Sequence, residues 1–71
     1  MATAQDTPTP TDGLGLKLIR TARRLTVAAV AREAGWSRQR VSAIEASARP
    51  TARAMDRYMA AVRAASELAD R

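Results

Sequence analysis

The residue types best equipped for chemistry are gathered in one short stretch, GWSRQRVSAIE, residues 35–45. Arg38, Gln39 and Arg40 follow directly on Ser37. An arginine fork matches the O6 and N7 acceptors of guanine, and a glutamine amide matches N6 and N7 of adenine, so this trio suits the edges of base pairs in a major groove. Ser42 and Ala43 come one helical turn later near the same face, and alanine is short enough to lie against a thymine methyl. A merely solvated helix start would favour acids, because the macrodipole leaves partial positive charge there. Two arginines at that point oppose the dipole, which favours an anionic partner over bulk water.

Most other chemistries lack their residues. The chain has no cysteine and no histidine, which removes disulfides, thiolate and imidazole metal ligands and the commonest general base. Its four serines lack a triad partner, its carboxylates are scattered, and Gly13, Gly15 and Gly35 form no phosphate-cradling loop. We therefore expect no catalysis, metal, cofactor or small-molecule ligand. Charge is concentrated: residues 17–53 carry nine Lys or Arg against Glu33 and Glu45, while in residues 54–71 three Arg are balanced by Asp56, Glu67 and Asp70. A basic field in mid-chain suits a polyanion. No apolar run approaches the roughly 20 residues that span a bilayer, and residues 1–13 lack the apolar stretch of a signal peptide. A cytoplasmic protein is expected, with no membrane partner, because the arginines are spread over several helices and do not form one polar face.

Short helices must position these residues. A chain of 71 residues has room for one domain and a small core, so it needs efficient helical packing or a shared core. Seventeen Ala against one Trp, one Tyr and no Phe favour helix over sheet, and an all-α fold is expected. Residues 1–12, MATAQDTPTPTD, have no apolar side chain larger than Ala after Met1 and read as a disordered tail, with the domain running from Gly13. Asp6 and Asp12 argue against a minor-groove arm, which would carry Arg or Lys. The first helix is expected to start near Asp12 or Gly13 and to turn Leu14, Leu18, Ala22 and Leu25 inward with Ile19, leaving Lys17, Thr21 and Arg24 outside. Thr26 caps a second helix, VAAVAREA, covered on the side of Val27, Val30, Ala31 and Ala34, and Gly35 ends it in the left-handed conformation. Ser37 caps a third, RQRVSAIEA, with Val41, Ile44 and Ala48 inward. Pro50 and Thr51 open the last, about residues 50–69, with Met55, Tyr58, Met59, Val62, Ala65 and Leu68 at helical spacing.

Two short helices joined by Ala34-Gly35-Trp36-Ser37 make a helix-turn-helix unit. The run LTVAAVAREAGWSRQRVSAIE resembles the helix-turn-helix of the lambda-repressor and Cro-like family. Leu25, Thr26, Val30-Ala31, Gly35, Trp36, Ser37-Arg38, Val41-Ser42 and Ile44-Glu45 fill its pattern in register. The resemblance implies a small lambda-repressor-like bundle of four or five helices, with base-reading positions at Arg38, Gln39, Ser42 and Ala43. Glu45, a carboxylate late in a helix and beside Ile44, needs a cationic partner, and the family register implies Arg20 as a structural ion pair. Thr26, Ser37, Arg49 and Arg53 are candidate phosphate contacts, and Arg40 can serve either phosphate or base. Val27 departs from the family, which commonly has a phosphate-binding Gln there, so helix-start amides or Arg32 would have to substitute. Trp36 takes a place usually held by a small aliphatic; a core plug across the turn is the expected role, with a base or phosphate contact as the alternative.

Ala61, Ala65 and Leu68 extend an apolar stripe along the last helix and are the expected dimer interface. The reading that follows is a sequence-specific double-stranded DNA-binding regulator, a repressor or Cro-like switch bound as a homodimer to a near-palindromic operator, in a bacterium or bacteriophage. The alternative is a helix-turn-helix protein-interaction module, antitoxin-like or contacting RNA polymerase.

Overall fold

In the computed structural model, which describes residues 12–70, the chain forms four helices: α1 Gly13–Ala22, α2 Val27–Ala34, α3 Arg38–Ala46 and α4 Ala52–Ala69. The described residues include no strand. Each helix starts on an oxygen that its own sequence supplies. Asp12, Thr26, Ser37 and Thr51 have extended backbones, and their side chains accept hydrogen bonds from the N–H groups of Gly15, Ala29, Arg40 and Ala54 at 2.8, 3.0, 3.1 and 3.1 Å. One such cap is worth about 1 kcal/mol. Asp12 therefore belongs to the domain; the rest of the tail expected over residues 1–12 lies outside the described residues.

Two helices end in the same way. Gly35 is left-handed at φ +74°, which lets Trp36 N–H reach Ala31 O at 2.9 Å and turns the chain into α3. After α1 the left-handed residue is Arg24, at φ +58°, with Leu25 N–H on Arg20 O at 3.1 Å. A residue with a Cβ carries a penalty of roughly 1–2 kcal/mol there.

The core lies between α2 and α4, whose contact is the broadest, and α3 crosses α1 and α2. Leu16, Val30, Val41, Tyr58 and Val62 are wholly buried. The covered face of α1 differs from the expected stripe. Leu14 and Leu18 are more than half exposed, whereas Gly13, Leu16 and Arg20 are buried and Ile19 is half-buried. Two long-range demands turn the helix this way: Arg20 must reach Glu45, and Gly13 lies flat against the end of α3. Its N–H donates to Ser47 O at 2.8 Å, and a Cβ at this position would overlap the carbonyl oxygens of Ile44 and Glu45. Ala48 is exposed, because α3 stops at Ala46 and the chain bends before it could bring Ala48 inward.

The far end of α4 requires a further correction. Ala61 and Ala65 are 3% and 5% exposed, packed within the chain's own core, so they cannot supply the dimer surface expected of them. Their small side chains let α4 lie close against the rest of the bundle. Only Leu68, 49% exposed, remains outside. No helix among the described residues is long and apolar enough to cross a membrane, and no cluster there could hold a metal ion.

Gly13→Ala is expected to destabilise the domain by about 1–3 kcal/mol, since the new methyl must push α1 off the α3 backbone. Arg24→Gly should do the opposite by up to about 1 kcal/mol, by relieving the left-handed strain. Thermal melts followed by circular dichroism check both signs.

Candidate nucleic-acid interface

α3 is held by a narrow edge. Val41 is wholly buried and Ile44 half-buried, while Arg38, Gln39, Arg40, Ser42 and Ala43 are all exposed. At 3.6 residues per turn, Gln39 and Ala43 project opposite Val41. Ser42 flanks them toward α1, where it shares a shallow groove with Lys17, Val27 and Glu45, and Arg38 is one turn before it on that flank. Arg40 is on the other flank, toward α4, with its guanidinium 5.2 Å from the centre of the half-buried Trp36 ring. The residues expected to read bases thus form one continuous exposed strip, with an arginine on each side.

What fixes α3 in this attitude is a buried polar cluster. The side chains of Arg20 and Glu45 are 10% and 7% exposed. Arg20 donates from Nε to Glu45 Oε2 at 2.7 Å and from one terminal nitrogen to Oε1 at 3.2 Å, and its other terminal nitrogen reaches Leu25 O at 2.8 Å. Tyr58 of α4 donates its hydroxyl to the same Oε2. Among the described residues no buried side-chain polar atom is left without a partner. The Glu45 hydrogen bond holds the Arg20 pKa above its ordinary value despite burial. Burial, followed by the hydrogen bond to Glu45, likewise raises Tyr58 above the usual tyrosine range. Glu45 thereby ties α3 to α1 and α4 together. Tyr58 escaped the sequence reading because its apolar spacing marked it only as core.

The candidate phosphate contacts are all exposed. The Thr26 and Ser37 hydroxyls accept from the backbone as caps, which leaves each O–H free to donate outward. Arg49 lies exposed in the loop before α4, and Arg53 is exposed in its first turn. Val27 shares its groove with Lys17, whereas Arg32 lines a different one with Arg24, Thr26 and Leu68, to which α3 contributes no residue. Lys17 is thus the cation beside Val27. Trp36 packs on the core with one face and carries Arg40 on the other. Arg57, absent from the sequence reading, donates from Nε to the carbonyl of Ala34 at 2.9 Å and so braces the turn.

Residues 13–71 match the family model described as "Helix-turn-helix domain". The chain belongs to this helix-turn-helix family, in keeping with its resemblance to lambda-repressor and Cro-like sequences, and the family points to a DNA-binding regulator. Neither the curated proteins nor the solved structures yield a match to the chain.

Removing the cation from the cluster should cost far more than removing the hydroxyl. Arg20→Met leaves the Glu45 carboxylate with Tyr58 alone and is expected to cost about 3–5 kcal/mol, against about 1 kcal/mol for Tyr58→Phe; urea titrations of the two variants give the comparison. A raised Tyr58 pKa means that the folded chain holds this proton more tightly than the unfolded chain. That contribution is complete below the ordinary tyrosine value of 10.0 and is lost as pH climbs past it toward the folded value. Stability measured from about pH 8 to about pH 11 should therefore fall more steeply in the wild type than in Tyr58→Phe.

Proposed function

We propose that the protein is a sequence-specific regulator that binds double-stranded DNA through the major groove, with Arg38, Gln39, Ser42 and Ala43 reading bases. The observation that carries this reading is the exposed strip on α3, backed by Val41 and clamped through Glu45, in a chain that belongs to the helix-turn-helix family. A reader must be accessible along its face and rigid behind it. Arg38 and Gln39 supply bidentate donors and acceptors, Ser42 a hydroxyl, and Ala43 a methyl contact. Thr26, Ser37, Arg49 and Arg53, with Arg40 at the flank, hold the phosphates on either side. These contacts orient the domain and carry most of the salt-dependent affinity.

The protein acts as a cytoplasmic homodimer on a near-palindromic operator, repressing by occupancy in the manner of a Cro-like switch. A two-fold pair presents two recognition helices one DNA turn apart. Among the described residues Leu14, Leu18 and Leu68 are the large apolar side chains left exposed, and this supports a surface shared between copies. No catalytic step enters the proposal.

Selection of bound duplexes from a random pool, at fixed near-physiological salt, tests the reading. The wild type should enrich two mirrored half-sites about one turn apart, and the Arg38→Ala, Gln39→Ala variant should lose the motif while keeping weak, salt-sensitive binding. A single unpaired half-site would remove the dimer and leave the reader. No enrichment at all would move the basic face to a protein partner, as in an antitoxin-like or polymerase-contacting module.

A further inference from the structure

The flank of α3 toward α4 contains a feature that base reading does not require. Trp36, Arg40, Thr51, Arg53 and Arg57 line one concave notch between the turn and the start of α4, floored by the small Ala54. Three arginines line it, and no carboxylate does. Glu33 and Asp56 lie along the neighbouring groove with Arg53 and Arg57. Even so, the Arg20–Glu45 pair is the ion pair that forms among the described residues, so none of the three arginines of the notch is in an ion pair there.

Two of these arginines are also held in place. Arg40 lies over the Trp36 ring at 5.2 Å, which restrains a long side chain that would otherwise lose rotamer freedom on binding. Arg57 is anchored through Nε on Ala34 O, and its terminal nitrogens keep their donors. The Thr51 side chain accepts the cap bond from Ala54 N–H, so its hydroxyl proton is free. A concave set of donors, with Arg40 and Arg57 restrained and their remaining N–H groups unused, is matched by a tetrahedral oxyanion.

We propose that this notch seats one backbone phosphate of the bound duplex, with Trp36 as the platform that holds Arg40 toward it. The assignment rests on the DNA-binding reading above and deepens it. It joins Arg40 and Arg53 to Thr51 and Arg57 on one and the same phosphate, and it gives Trp36 and Arg57 roles beyond packing. The contact is independent of sequence, so it sets affinity and register while the strip from Arg38 to Ala43 sets preference.

Trp36 is the only tryptophan in the chain, so its fluorescence reports on the notch directly. Full-length protein is titrated with a labelled duplex carrying the preferred motif and with a scrambled duplex of equal length, following both Trp36 emission and label anisotropy over a range of salt. The expected result is a change in Trp36 emission with both duplexes. Arg53→Gln and Arg40→Gln, both exposed positions, should each weaken binding about tenfold on the two duplexes alike and make the salt slope shallower by about one, as for one lost phosphate contact. Trp36→Leu should weaken both without changing that formal charge, and the selected motif should persist in all three variants. Unaltered Trp36 emission in a saturated complex overturns the notch, as does wild-type affinity in Trp36→Leu once its melt shows a folded domain. A changed motif in Arg40→Gln overturns it too, by making Arg40 a reader. If the wild type binds neither duplex, the DNA reading itself has failed, an outcome distinct from a silent Trp36 in a complex that forms.

Discussion

A carboxylate removed from water must find its counter-charge and hydrogen bonds in the fold, and in this chain the demand falls on Glu45. Its two oxygens take a bidentate contact from Arg20 and a hydroxyl from Tyr58. One residue near the end of α3 is thereby joined to α1 and α4, and Arg20 extends the connection to the α1–α2 turn through Leu25 O. A buried ion pair is a poor source of net stability compared with apolar packing. What it supplies is direction. The geometry is satisfied in one arrangement of the three helices, and loss of a partner leaves a charge stranded.

That arrangement explains how a helix as short as Arg38–Ala46 can be both exposed and rigid. With little apolar surface of its own inside, α3 is fastened at its C-terminal half by Glu45, by Ile44 and by the flat approach of Gly13 to the α3 carbonyls. The N-terminal half is left projecting, fixed by the Ser37 cap, the left-handed Gly35 and the Arg57 brace on Ala34. Fastened at one end and capped at the other, α3 keeps Gln39 and Ala43 turned outward without a core behind each residue. Arg20 and Arg57 show that the basic residues of this chain divide between two tasks. Some are bound into the scaffold, and others, such as Arg38, Arg40, Arg49 and Arg53, are left at the surface. Net charge alone does not separate the two groups.

Helix starts, the end of α2 and the exposed strip of α3 were legible in the sequence because their signals are local. A cap needs one oxygen and an amide three residues away; a helix end needs one residue that tolerates positive φ; Pro50 stops a helix through its own ring. The faces of α1 were not legible. GLGLKLI offers Leu14 and Leu18 on one side and Leu16 and Ile19 on the other, and hydrophobic period alone favours neither. Tyr58 and Ala61 were hidden for a related reason: apolar spacing marks a core residue but says nothing about a hydroxyl's partner or about which small residues a neighbouring helix will cover.

The sequence by itself determined three short helices and a long last one, where each begins to within about two residues, and that two arginines and a glutamine open the third. Only the tertiary structure decided that α1 turns Leu16 and Arg20 inward, that Ala61 and Ala65 belong to the chain's own core, and that Tyr58 completes the Glu45 site. The difference lies in sequence separation. Caps and turns act over three or four residues, whereas Arg20 meets Glu45 across 25 positions and Tyr58 meets it across 13, and burial of a charge is decided by whichever distant partner the packed chain brings within reach.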